Sequence, residues 1–206
     1  MIPINEIVET LIGEVHNIGE PCVLVRVAGC NLDCNWCDTN HQAINERISA
    51  QEVAERVEKT GRGWALVTGG EPLLCPVTAD LLAKLVNRGI NVLLETNGSI
   101  PLDRVPAKVV KSVDMKTPSS GHAGCFLESN LEFIFKNDYV KFVITNRQDF
   151  DWALVNIEKY SLFEMTNVAF SPVWGIMNPG ELAKWILETG LPIRLSIQLH
   201  KIIGIK

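Results

Sequence analysis

Short apolar, β-branched runs recur along the chain at 22–29 (CVLVRVAG), 64–70 (WALVTGG), 90–95 (INVLLE), 108–115 (KVVKSVDM), 140–145 (VKFVIT), 167–172 (NVAFSP) and 193–198 (IRLSIQ). Each is short and edged by Gly, Pro, Asn, Asp or Ser, which predicts strands. Between several of them the apolar spacing changes to that of a helix. Ser49 and Glu52 form a capping box ahead of AQEVAERVEKTG, and Gly61 supplies the stop. ADLLAKLVNRG (79–89) again ends in Gly. DFDWALVNIEKY (149–160) and PGELAKWILETG (179–190) complete the helical set, the latter with Pro179 in its first turn and Gly190 at its end.

Alternating strands and helices predict an α/β fold with a mostly parallel sheet and helices packed outside it. The near-continuous apolar character of the strands agrees, because parallel strands are covered on both faces. The pattern suits both a doubly wound open sheet and a partial or full βα barrel. In either, reactive groups gather where strands end. Six polar stretches stand at such ends: the segment 29–40 (GCNLDCNWCDTN), Gly69-Gly70-Glu71-Pro72, Glu95-Thr96-Asn97-Gly98, Asp114-Met115-Lys116, Ser171-Pro172, and Gln198 with His200.

Composition narrows the function classes. The 206 residues suit a single domain, 1–206, 47% apolar and 21% charged. A net charge of −5 without a Lys/Arg run argues against a nucleic-acid-binding surface. No apolar run is long enough to predict a membrane span, and MIPINEIVETL has no basic segment leading into an apolar one. The expected location is therefore cytoplasmic, where six cysteines read as free, metal-bound or redox-active. Cys22, Cys75 and Cys125 stand apart from the others and read as small packing residues.

Cys30, Cys34 and Cys37 are different, because they share one loop in a C-x3-C-x2-C spacing. A zinc site would need a fourth ligand, with Asp33, Asp38 and His41 nearby. A four-cysteine iron–sulfur cluster would need Cys75, far along the chain. A four-iron cluster held by three thiolates would leave one iron open for chemistry.

This spacing, with Trp36 before the last cysteine and GGEP one helix and one strand downstream, resembles the radical S-adenosylmethionine superfamily. Over essentially the whole chain the motifs are similar to those of the 7-carboxy-7-deazaguanine synthase family. They are Thr10-Leu11-Ile12-Gly13-Glu14, Gly19-Glu20-Pro21, Val25 to Leu32, Trp36-Cys37-Asp38-Thr39, Val67 to Pro72, Glu95 to Gly98, Asp114 to Gly121 and Gln198-Leu199-His200-Lys201. The resemblance departs at Ile12, where the family often has Gln, and at Asp114-Met115-Lys116, where it often has Ser-Pro-Lys.

The resemblance implies an incomplete βα barrel, usually dimeric, and a radical lyase reaction. The substrate would be 6-carboxy-5,6,7,8-tetrahydropterin, contracted to 7-carboxy-7-deazaguanine with loss of ammonia, on the route to queuosine. It implies a [4Fe-4S] cluster, S-adenosylmethionine, Mg²⁺ and an electron donor such as a flavodoxin. Carried over by position, Cys30, Cys34 and Cys37 hold the cluster and Thr39 the Mg²⁺. Trp36, Cys37, Asp38, Gly70, Asp114, Met115, Lys116, Ser171, Pro172, Val173 and Trp174 contact S-adenosylmethionine. Leu11, Ile12, Gly13, Glu14, Arg26, Thr68, Glu95, His200 and the terminal Lys206 line the pterin site. Arg26 suits a carboxylate because its planar fork binds both oxygens; a structural partner would be a carboxylate such as Glu14.

Simpler roles stand beside these. Met115 and Trp174 also read as packing residues, Glu95 as a loop cap, and His200 as structural. His16, His41 and His122 show no partner in the sequence, and Trp64, Trp152 and Trp185 read as core or interface. A radical S-adenosylmethionine activase of a glycyl radical enzyme would share the cysteine spacing but would not need the Glu14/Arg26 pair. A non-enzymatic metal-binding module would leave GGEP and the clustering at strand ends unexplained.

Overall fold

A computed structural model describes residues 1–205. In chain order its elements are β1 (Ile2–Leu11), β2 (Pro21–Val27), β3 (Glu46–Ile48), α1 (Ala50–Lys59), β4 (Trp64–Gly69), α2 (Thr78–Asn87), β5 (Asn91–Thr96), β6 (Val110–Asp114), β7 (Tyr139–Ile144), α3 (Arg147–Lys159), α4 (Leu162–Met165), β8 (Asn167–Pro172), α5 (Pro179–Thr189), β9 (Ile193–Leu195) and α6 (Leu199–Ile203). Short 3-10 turns cover Pro72–Leu74, Pro118–Ser120 and Glu128–Phe133.

The strands form one sheet in the order β3-β1-β2-β4-β5-β6-β7-β8-β9, and the two outer strands do not meet. From β2 to β9 every pairing is parallel, whereas β1 runs antiparallel to β2 and β3. This is the partial βα barrel, with sheet order following chain order from β4 onward. The seven predicted strands are present. β1 and β3 were not foreseen, because β1 carries a bulge that breaks its alternation. The register shifts between Ile4 and Glu6, so Ile2, Ile4 and then Ile7 pack on the outer core while Val8 faces inward. One extra residue changes which face every later side chain occupies.

The outer face carries the main cores. Val23, Val25, Val27, Ala65, Val67, Val92 and Leu94 pack under α1 and α2. Val113, Val140, Phe142, Ile144, Val168 and Phe170 pack under α3 and α5. Alternation sends the intervening residues inward, where Cys22, Leu24, Leu66 and Leu93 pack with Ile12. The loop between β1 and β2 crosses this inner face. Val15 packs on Tyr139 and Ala169, and His16 lies 5.2 Å from the Trp64 ring and 5.8 Å from that of Tyr139. His16 therefore has aromatic partners that the sequence did not reveal.

Helix ends follow their sequence signals. Ser49 accepts from the Glu52 N–H, although the Glu52 carboxylate turns to Arg56 rather than closing the capping box. Asn178 caps α5 ahead of Pro179, and Gly190 ends it at φ +65°.

Candidate active site

A cavity of about 770 Å³ opens at the carboxyl ends of the parallel strands. One wall is a polar row on the inner sheet face. Arg26 lies beside Thr68 in register, Glu95 beside Ser112, and Asp114 beside Lys141. Thr68 donates to Glu95 Oε2 at 2.8 Å. The opposite wall is the loop after β2, with Cys30, Cys34, Trp36, Cys37, Asp38 and Thr39.

That loop is anchored at several points. Asn35 donates from its backbone to Ser120 O (3.1 Å) and from its side chain to Ser119 O (3.1 Å). Asn31 donates to Ser99 Oγ, and His122 pairs with Asp33 at 2.7 Å. His122 is thus a tether of the cysteine loop, not an unpartnered surface residue. Gly69 and Gly70 bring β4 against the loop's stem. A Cβ on Gly69, at φ +156°, would lie 2.0 Å from Val27 O, and one on Gly70 would lie 2.4 Å from Gly29 O. Glycine is needed here for close approach of backbone to backbone. Glu71 is fully buried and accepts from Thr96 Oγ1, the Asn97 N–H and the Leu73 N–H. It ties the loop after β4 to the loop after β5, although burial pushes its carboxyl above the ordinary range.

Glu14 enters from the loop after β1. Its Oε2 accepts from Lys141 Nζ and its Oε1 from Gln198 Nε2, both at 2.8 Å. Burial opposes the charge on Glu14, yet the Lys141 ammonium holds its carboxyl below the usual range. Lys141 is itself held charged against burial by Glu14, Asp114 and Glu95. Glu95 differs, because burial pushes its carboxyl up more than Lys141 and Thr68 lower it. Arg26 bonds through Nε to Glu6 Oε1 at 2.8 Å. Its structural partner is therefore Glu6 rather than Glu14, since the bulge in β1 sets Glu6 opposite Arg26.

His200 lies against Gly13, where any Cβ would fall 2.1 Å from its Nδ1. Burial lowers its pKa. The neighbouring Lys201 pairs with Asp38 and covers the Trp174 ring at 5.7 Å. Lys116 pairs with Asp114 at 2.8 Å and stands 5.1 Å over the Trp36 ring.

Most expected site residues line this one cavity: Leu11, Gly13, Glu14, Arg26, Thr68, Gly70, Glu95, Asp114, Lys116, Ser171, Pro172, Val173, Trp174 and His200, with the loop residues above. Ile12 does not. Its side chain is buried with Cys22 and Leu24, and its N–H and C=O are bonded to Glu20 and Gly19. Met115 also turns away, into the core beneath α3 and α5. Lys206 lies outside the described residues. The sequence reading did not single out Lys141, Glu6 or Ser112, all of which line the cavity. A lysine inside the apolar run VKFVIT was the available signal for Lys141, since buried lysines are paired.

Four buried polar atoms of cavity-lining residues have no protein partner: Trp36 Nε1, His41 Nδ1, Ser112 Oγ and Asp114 Oδ1. Buried polar groups are nearly always hydrogen-bonded, so this cavity is built for a polar ligand. The three cysteines line the same cavity, and all six of the protein's cysteines are free. Among the described residues, no three His, Cys, Asp or Glu side chains gather closely enough for a single metal ion. Three free thiols on one loop suit a [4Fe-4S] cluster with one iron left open.

Comparison with known proteins agrees. The radical SAM superfamily model matches residues 24–119. The solved structure of QueE from Escherichia coli superposes with a TM-score of 0.77 at 22% identity, over 97% of this chain and 94% of that one. That superposition shows the shared fold; the family model over the cysteine loop, together with curated relatives, makes this chain a radical S-adenosylmethionine enzyme, a class that uses a [4Fe-4S] cluster and S-adenosylmethionine. Two curated relatives carry the assignment further. The 7-carboxy-7-deazaguanine synthase of Koribacter versatilis is 38% identical, over 97% of this chain and 96% of its own. That of Chlorobaculum tepidum is 37% identical, over 97% and 93%. This chain belongs to the 7-carboxy-7-deazaguanine synthase family.

Proposed function

We propose that the protein converts 6-carboxy-5,6,7,8-tetrahydropterin to 7-carboxy-7-deazaguanine and ammonia, in 7-deazapurine biosynthesis, with Mg²⁺ as a further cofactor. The observation that carries this is the pairing, across one cavity, of the cysteine wall with a row of Arg26, Thr68, Glu95 and the Lys141-bound Glu14.

The cluster and S-adenosylmethionine supply a hydrogen-abstracting radical when bound. Cys30, Cys34 and Cys37 would ligate the cluster, and Trp36 Nε1, Ser112 Oγ and Asp114 Oδ1 would bond the cofactor's polar groups. Arg26 would receive the pterin carboxylate, its alignment fixed by Glu6. Glu14 would accept from the guanidine-like edge of the ring. Glu95, kept towards its protonated form by burial, would give a proton to the nitrogen that leaves. Thr39 would bind Mg²⁺ through its hydroxyl, a hard oxygen donor.

A flavodoxin-type electron donor would supply the reducing electron that the cluster chemistry needs. A homodimer is supported by Ile202, Ile203, Ile205 and Leu195, exposed at and beyond the open β9 edge. Free cysteines fit a reducing, cytoplasmic setting. No helix of residues 1–205 is long and apolar enough to cross a membrane.

The test is anaerobic turnover of carboxytetrahydropterin by reconstituted protein with reductant and S-adenosylmethionine, with and without Mg²⁺. Deazaguanine product is expected. Cofactor cleavage without product would overturn the substrate and leave the glycyl radical activase.

A further inference from the structure

Glu14 and Lys141 come from opposite sides of the barrel, 127 residues apart in the chain, and each is 8% exposed. Burying such a pair is costly unless its geometry is good and its remaining hydrogen-bonding positions are used. A carboxylate offers two oxygens and about four acceptor positions. Here each oxygen takes one donor, Lys141 on Oε2 and Gln198 on Oε1, each at 2.8 Å. The carboxylate is thus held at both oxygens, while Glu14 still faces the cavity.

We propose that Lys141 is a positioning residue for substrate specificity. With Gln198 it clamps the Glu14 carboxylate so that the second acceptor position of each oxygen is presented as a matched pair. That pair selects a ligand with two adjacent N–H donors, as on a cyclic guanidine edge. The inference rests on the reading that Glu14 takes the pterin.

The clamp works only while Glu14 is ionised, and the Lys141 ammonium keeps it so against burial. Other charged groups facing the pair are Glu95 from β5, Asp114 from β6, Lys116 from the loop after β6 and His200 from α6, with Arg26 from β2 acting on Glu95 and His200. Without Lys141, burial is unopposed by that cation and the Glu14 carboxyl titrates at higher pH. Binding that needs the carboxylate is then lost from the acid side, and the acid limb of kcat/KM moves upward in pH.

The experiment measures kcat and KM for carboxytetrahydropterin against pH, for reconstituted wild type, Lys141→Met, Lys141→Arg, Gln198→Ala and Glu14→Gln, with iron content as the check on folding. Lys141→Met is expected to raise KM about tenfold or more, with a smaller change in kcat, and to shift the acid limb upward. Lys141→Arg should restore the limb, because it keeps the cation. Gln198→Ala should raise KM and move the limb upward by less than Lys141→Met does, because the Gln198 hydrogen bond also favours the Glu14 carboxylate but by less than the lysine. In wild type, a pterin lacking the 2-amino group should bind more weakly; in Lys141→Met that discrimination should shrink.

If Glu14→Gln leaves KM unchanged, the underlying reading of Glu14 fails. If Glu14→Gln raises KM while Lys141→Met does not, the clamp alone is overturned. A Lys141→Met enzyme with uniformly reduced kcat, unchanged KM and an unmoved limb would also overturn it, since that is the mark of a structural role. Should Lys141→Met fail to fold, Gln198→Ala decides, and an unchanged KM there overturns the clamp.

Discussion

At Gly70 the ideal Cβ position lies 2.4 Å from Gly29 O and 2.6 Å from Cys30 Cβ. Neither obstacle can swing aside, because one is backbone and the other carries the cysteine expected to ligate the cluster. Gly70→Ala should therefore displace Cys30 and reduce iron bound per chain after anaerobic reconstitution, read by iron quantitation. Arg26 makes a different argument. Lysine would keep the charge but lose the fork that spans both oxygens of a carboxylate. Arg26→Lys should retain its iron yet lower kcat/KM for the pterin about tenfold, the ~1.5 kcal/mol of one hydrogen bond to a charged group. At this scale the cysteines, Trp36, Gly70 and Glu14 were legible in the sequence, because rare residue types at fixed spacing carry their own signal. Lys141 was not, because its partner Glu14 lies on a distant segment.

Among the elements, the crossovers from β5 to β6 and from β6 to β7 have no α-helix, and the second carries only the 3-10 turns Pro118–Ser120 and Glu128–Phe133. Asp138 organises its end. Its Oδ1 accepts from the Lys111 N–H, its Oδ2 from the Phe135 N–H, and it pairs with Lys111 Nζ at 3.0 Å. Both side chains are almost wholly buried, on the outer face away from the cavity. Asp138→Ala should cost about 3–5 kcal/mol, since it leaves a lysine buried without its counter-ion. A denaturant midpoint lowered in proportion, with an unchanged slope, would be the sign of it. Strong periodicity made the four long helices and seven parallel strands readable. β1 escaped because its bulge at residues 4–6 exchanges inner and outer faces midway. That same irregularity is what brings Glu6 to Arg26, so the feature that hid the strand also builds the site.

For the whole molecule, the open side of the barrel is spanned by two segments joined to each other. The Val15 N–H donates to Ser196 Oγ, Leu199 N–H to Gly13 O, and Gln198 to Glu14. Lys201 then reaches Asp38 on the cysteine loop. The loop itself is held by Ser119, Ser120, His122 and Ser99, none of them in the C-terminal segment. A chain ending at Ile197 should therefore still assemble its cluster while losing pterin turnover, measured as iron content against product formed. The sequence by itself determined the strand–helix alternation, the end of the strands at which chemistry sits and the family, because those depend on local periodicity and on motifs within a few residues of one another. Only the tertiary structure decided which charges meet. The pairing of Glu6 with Arg26, the hold of Lys141 and Gln198 on Glu14, and the inward burial of Ile12 follow from strand register and from a loop folding across the barrel, and contacts between such distant residues are fixed only when the sheet curves to bring them together.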